Sequence, residues 1–248
     1  MNYEEGQALT LRWLREAGLA AGAHVLDVGC GPGNLARLVF EQIGAGGRLV
    51  GIDQNEAYLA QARDQHAGRD ATFLYADLAG DLPADIGTFD AIIGRRVLMY
   101  LPDPVATLRH LAVHLRPGGI VFFQEFILFD SPTMLPLHDR VRSWMVQMLA
   151  AEQASSQLGR HLPSLFLQAG LPAPVVRAEA DVASPGQPDS LADRIRFVLP
   201  RLVEAGISAA EIDLDTLAPR LQAERDTLGQ AWFGELAVAA WAKRGESG

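Results

Sequence analysis

The residues most able to do chemistry crowd into one run, His24 to Gly33, which reads His-Val-Leu-Asp-Val-Gly-Cys-Gly-Pro-Gly. Asp27 interrupts an apolar strand-like stretch, and Gly29, Gly31 and Gly33 alternate with Cys30 and Pro32. Glycines so close clear side chains from the backbone. A helix opening beside them, with Asn34 as its N-cap, aims N–H groups and its positive dipole end at the same spot. Such a spot holds an anionic group. Asp53 stands 20 residues beyond Gly33, near the ~20-residue interval at which an acid meets a ribose. A carboxylate there accepts two hydrogen bonds from vicinal hydroxyls. The alternative is that Asp53 merely caps a helix starting near Asn55.

Groups suited to acid–base work or acceptor binding are more scattered. His138 has Asp139 and Arg142 beside it in sequence, and an imidazole with an unperturbed pKa of ~6.5 suits a general base. The plainer reading is a surface histidine in an acidic turn. His161 could open a helix toward a pocket, or belong to core or surface. His110 and His114 share a helix at i, i+4 without a third ligand, so no metal site is expected. Glu125 either touches substrate or caps the turn that follows it. Tyr100 and Trp144 offer flat faces for an acceptor, or fill the core. Arg95 and Arg96 suit an acidic substrate or surface ion pairs equally well.

Composition removes several function classes. The chain has 248 residues, 49% of them hydrophobic, and a formal net charge of -9. That length and apolar content suit one large α/β domain, and the charge repels nucleic-acid phosphates. No run is long and apolar enough for a membrane span, and the acidic N-terminus lacks a signal peptide's regions, so a cytoplasmic protein is expected. The single cysteine excludes an internal disulfide and Cys-rich zinc sites. The single lysine, Lys243, excludes a P-loop lysine and a Tyr-x-x-x-Lys pair. The sequence leaves a homodimer open.

These residues need elements to hold them. Helical periodicity covers 4–17 and stops at Gly18. The strand through Val25, Leu26 and Val28 leads to a helix from Asn34 to about Ile43, and Arg48–Ile52 forms a second strand. A helix from Glu56 to about His66 precedes a third strand, Thr72–Tyr75; Phe89–Ile93 is the fourth. Asp103 caps a helix begun by Pro104, with Val105, Leu108, Leu111, Ala112 and Leu115 as its core stripe. The turn Arg116-Pro117-Gly118-Gly119 enters a fifth strand, Ile120–Gln124. Residues 126–158 and 188–228 read as helical insertions forming a substrate cap around the core of about 20–125. His161–Ala169 is a helix, Pro174–Val182 a sixth strand and Ala231–Arg244 a seventh. The fold class is α/β, with three layers around a doubly wound sheet.

The run Asp-x-Gly-x-Gly-x-Gly, the acids after strands two and three, and the Arg-Pro-Gly-Gly turn before strand five occur together in order. As a set they resemble the class I S-adenosylmethionine-dependent methyltransferases, over roughly residues 24–125. The small-molecule members of quinone and natural-product biosynthesis are the most similar in character. The resemblance implies a mostly parallel seven-stranded Rossmann-like sheet with strand seven antiparallel between five and six. It implies S-adenosylmethionine as cofactor, held by Asp27, Gly29, Cys30, Gly31, Gly33, Asp53, Gln54, Asp77, Leu78 and Arg95. In that scheme Asp77 accepts from the adenine amino group and Leu78 supplies a backbone donor and an apolar lid. Asp77 could instead be an ordinary turn residue, and Asp81 could take its part. Tyr100, Glu125, Arg142 and Trp144 would face a small, partly apolar methyl acceptor, and His138 would be the base. The rivals are a nicotinamide-dependent oxidoreductase, a binding protein without transferase activity, and a non-methyl use of the same cofactor. The oxidoreductase reading lacks the last fingerprint glycine, since that position is Asn34.

Overall fold

The computed structural model describes residues 3–80, 82–83, 85–129, 133–187 and 190–245. Asp81, Pro132 and Pro188 lie outside them. The chain divides into two compact units. One comprises residues 7–125, 158–177 and the chain from 238 onward; the other comprises residues up to 6, 126–157 and 178–237.

The first unit is built on β1 (His24–Val28), whose Val25, Leu26 and Val28 are fully buried. Strands covered on both faces need such apolar runs. β1 pairs in parallel with β2 (Arg48–Asp53) on one side and β4 (Phe89–Arg95) on the other. β2 pairs with β3 (Ala71–Tyr75), and β4 with β5 (Leu115–Leu128). With β6 (Val175–Ala183) and β7 (Trp232–Lys243) the order is β3-β2-β1-β4-β5-β7-β6. The Gly118 N–H donates to the Arg244 carbonyl at 3.0 Å, and the Arg244 N–H to the Gly119 carbonyl at 2.8 Å. The end of β7 thus meets the start of β5, and the two strands run in opposite directions. The sheet is the expected seven-stranded, mostly parallel one.

Register decides which residues share an edge. Val28 lies opposite Ile52 and Gly94, Ile52 opposite Leu74, and Gly94 opposite Phe123. One step further toward the carboxyl ends, Gly29, Asp53, Tyr75, Arg95 and Gln124 therefore form a single row. β1 and β4 are the neighbours between which the winding reverses, where open α/β sheets receive ligands.

Several boundaries differ from those expected of the sequence. Helix α1 (Tyr3–Ala17) ends at Gly18 and α2 (Asn34–Ile43) begins at Asn34, but Asn34 does not cap α2. Gly33 occupies the cap at φ 88 without a side-chain bond. The loop needs a left-handed residue there, and a Cβ on Gly33 would stand 2.8 Å from His66 Nε2. α3 (Glu56–Gln65) is capped by Asn55, whose side chain accepts from the N–H groups of Ala57 and Tyr58. α4 (Pro104–Val113) is capped by Asp103, and Leu115 belongs to β5 instead of its stripe. The Arg-Pro-Gly-Gly turn is taken into β5 as an irregularity opposite Phe89–Ala91. Residues 126–128 continue β5 and are not helical, their apolar side chains buried as in a covered strand.

The second unit is mainly helical. α5 (Pro136–Ala151), α7 (Leu191–Glu204), α8 (Ala209–Ile212) and α9 (Leu214–Leu228) bury Trp144, Met148, Ile195, Leu202, Leu217 and Leu221. α6 (Leu162–Gln168) belongs to the first unit and is stopped by Gly170 at φ 81.

Candidate functional site

The glycine loop after β1 is crowded at both ends and open in the middle. A Cβ on Gly29 would sit 2.4 Å from Val97 Cγ2, so only a missing side chain lets the post-β4 segment pack there. Gly31, at φ 52, has nothing within 4 Å of its Cβ position. Its N–H donates to Asp53 Oδ2 at 2.8 Å, and Asp53 Oδ1 accepts from the Asn55 N–H at 2.9 Å. Asp53 therefore braces the loop; capping α3 falls to Asn55. Gln54 is exposed, and Cys30 is buried with its N–H on the Ile52 carbonyl. Burial pushes the Cys30 thiol far up, which removes it as a nucleophile.

Beneath this loop lies Asp27, fully buried, with neither carboxylate oxygen hydrogen-bonded among the described residues. Burial pushes its pKa up to about 8; the Arg95 guanidinium pulls it back and the Asp53 carboxylate adds to the rise. An enclosed acid without a partner is costly, and its cost falls when a positive group arrives. Arg95 Nη1 lies 3.3 Å from Thr10 Oγ1, which itself donates to Gln124 Oε1 at 2.8 Å. Gln7 accepts from the Arg37 guanidinium, while its own buried Nε2 has no partner among the described residues. Sequence reasoning misses Gln7, Thr10 and Gln124. A signal for two of them exists in α1: Gln7, Thr10 and Leu14 share one face, so two polar residues lie on its buried stripe.

After β4 the chain turns sharply. Arg96 is left-handed at φ 57 and is followed by a 3-10 turn, Leu98–Tyr100. Glu125 is fully enclosed. Its Oε1 accepts from the N–H groups of Val97 at 3.0 Å and Leu98 at 2.8 Å, and its Oε2 has no partner among the described residues. Burial raises its pKa to about 7 against the pull of these N–H groups. It thus caps the turn after β4, not the turn that follows it in sequence. Asp77 is exposed and its Oδ1 accepts from the Ala79 N–H at 2.9 Å, the geometry of an ordinary turn residue. Leu78 is half-buried beside it, its carbonyl accepting from Thr107 Oγ1 at 3.2 Å. Tyr100 is exposed.

His138, Arg142 and Trp144 belong to the helical unit. His138 is not the surface residue anticipated. It is fully buried, with Nδ1 2.7 Å from Glu224 Oε2, Nε2 3.2 Å from Arg225 Nη1, and its ring 5.2 Å from that of Trp232. Arg142 pairs with Asp139 at 2.8 Å, and the buried Trp144 donates Nε1 to Glu211 at 3.2 Å. A cavity of about 270 Å³ lies beside Trp144, Arg140 and Arg220. His161 is exposed and His114 Nδ1 lies 2.9 Å from the Gly87 carbonyl. Among the described residues no His, Cys, Asp or Glu cluster could hold a metal, and no helix is long and apolar enough to cross a membrane.

A doubly wound sheet with a glycine loop at its reversal point and an acid at the end of β2 defines the Rossmann-like class of folds. Within that class, residues 25–119 match the methyltransferase domain family, and the fold is that of the class I methyltransferases. The chain is 33% identical over 129 residues to a trans-aconitate 2-methyltransferase of Azoarcus sp., covering 52% of this chain and 49% of that protein. It is 28% identical to a ubiquinone biosynthesis O-methyltransferase of Ralstonia nicotianae, covering 61% and 59%. The chain thus spans about half the length of the curated relatives it matches. A putative sarcosine dimethylglycine methyltransferase structure from Galdieria sulphuraria aligns with TM-score 0.61 and 16% identity, over 98% of this chain and 86% of that one. A phosphoethanolamine N-methyltransferase 2 from Haemonchus contortus, in complex with phosphomonomethylethanolamine and S-adenosylhomocysteine, aligns with TM-score 0.58 and 16% identity, over 97% and 52%.

Proposed function

We propose that this chain transfers the methyl group of S-adenosylmethionine to a nucleophile on a small, partly apolar molecule. The observation carrying the reading is Asp27: a buried acid with no hydrogen-bond partner among the described residues, under an open glycine loop and two residues from the row that holds Asp53 and Arg95. A cofactor with a carboxylate, a ribose and a net positive sulfur centre fits that donor set. Loop N–H groups meet the carboxylate, Asp53 the ribose hydroxyls, and Asp27 lends negative charge where positive charge resides. Gln54, Asp77 and Leu78 line the adenine side in this assignment. When bound, S-adenosylmethionine supplies a methyl already activated for displacement. The chain's own residues then need to orient the acceptor and exclude water, which requires no covalent or metal group.

Acceptor recognition is assigned to Tyr100, whose exposed ring stands in the turn after β4. We assign His138 to holding the helical unit together, because both ring nitrogens already face partners. The relatives methylate small molecules, as their names state, and this supports the same substrate class here. The nicotinamide reading is disfavoured by Asn34 at the last fingerprint position and by the S-adenosyl ligands of similar folds.

Thermal-shift titration tests the reading. Stabilisation by S-adenosylhomocysteine and none by NADH is expected; the reverse pattern overturns it.

A further inference from the structure

The turn after β4 is held in a conformation that a non-glycine residue keeps only when its surroundings hold it there: Arg96 at φ 57. Those surroundings belong to β5. The Gln124 carbonyl accepts from the Arg96 N–H at 2.8 Å, and Glu125 Oε1 takes the next two N–H groups, of Val97 and Leu98. Val97, so placed, presses against Gly29, where even one added carbon would overlap its Cγ2 at 2.4 Å. A chain of contacts therefore runs from Glu125 through Val97 to the glycine loop. Glu125 itself is 1% exposed and its Oε2 is enclosed without a partner among the described residues. It is closed off from an acceptor arriving through solvent, so a substrate-binding role does not suit it. Burying a carboxylate to hold two backbone groups is expensive, and it is retained where the held geometry matters.

We propose that Glu125 is a positioning residue for the cofactor: by clamping Val97 and Leu98 it sets Val97 against Gly29 and fixes the shape of the glycine loop. The inference rests on the reading of that loop as the S-adenosylmethionine site.

The test compares wild type, Glu125→Gln and Glu125→Ala for S-adenosylhomocysteine affinity by calorimetry and for amide exchange over residues 95–101. Gln keeps an oxygen able to accept both N–H groups; Ala does not. Glu125→Ala is expected to weaken S-adenosylhomocysteine about tenfold, the scale of one or two lost hydrogen bonds, and to accelerate exchange at Val97 and Leu98. Glu125→Gln should stay within about threefold of wild type and keep the protection, as an acceptor-based clamp requires. Wild-type affinity in a folded Glu125→Ala protein overturns the proposal, as does a Gln variant as weak as the Ala one. Should Glu125→Ala fail to fold, Val97→Ala leaves the clamp intact and removes Cγ2, the atom nearest Gly29; unchanged affinity there also overturns the proposal. If wild type itself does not bind S-adenosylhomocysteine, the cofactor reading fails, while the exchange comparison still judges the clamp.

Discussion

Replacing Asp27 by Asn should flatten the pH dependence of stability while weakening the cofactor site. The buried acid titrates at about 8 in the fold against an ordinary value of 3.8. Between those values the folded chain keeps a proton that the unfolded chain has released. Stability is therefore full below about pH 4 and falls as pH rises toward about 8. Each tenfold change in proton affinity between the two states is worth ~1.4 kcal/mol, which sets a ceiling of roughly 6 kcal/mol. Relaxation and water entry around the ionised group reduce that ceiling, leaving about 2–4 kcal/mol. Asn imitates the protonated acid in size and charge, and its own unpartnered amide costs the same at every pH. The part of the wild-type loss that falls between pH 5 and pH 8 is about 1–3 kcal/mol, so the stability difference between Asp27→Asn and wild type should move by that much in favour of the variant over that range. Glu125 titrates in the same direction, at about 7, but is common to both proteins and cancels. Urea unfolding at pH 5, 6.5 and 8, with unchanged m-values, reads the effect. A difference that stays constant across that range refutes the argument. Calorimetry in two buffers adds a second reading: wild type should release a proton on binding S-adenosylmethionine at pH 7, and the variant should not.

Three further outcomes are expected. Asp53→Ala removes the acceptor for Gly31 and Asn55, and should weaken S-adenosylhomocysteine by ~1–3 kcal/mol in calorimetry. Gly29→Ala drives a methyl into Val97 at a positive φ, so it should cost about 2–4 kcal/mol in thermal unfolding and abolish cofactor-induced stabilisation. His138→Ala leaves Glu224 and Arg225 without their buried ring partner, and should lower stability by roughly 3 kcal/mol in urea unfolding; a change below about 1 kcal/mol would count against the structural assignment.

The cofactor half is legible in the sequence because its elements are local and periodic. Val25, Leu26 and Val28 announce a covered strand, the glycines announce a turn, and Asp103-Pro104 announces a helix start. Each signal lies within a few residues of what it controls. The partners of acids cannot be read that way. Glu125 finds its donors 27 and 28 residues back in the chain, and His138 meets Glu224 and Arg225 86 and 87 residues away. Only register and packing bring these groups together. Asn34 misleads for a related reason: a good cap residue loses its place to Gly33, because the space beside His66 admits no side chain. The 126–128 run reads as helical because a short apolar stretch carries no period that separates helix from strand.

The slot between β5 and β6 is filled by β7, the last of the seven strands in chain order. During synthesis, both neighbours must wait with unpaired edges until three further helices, α7 to α9, have followed β6. A nascent polypeptide arrested anywhere in that interval presents two open strand borders, an invitation to self-association that closing the gap removes.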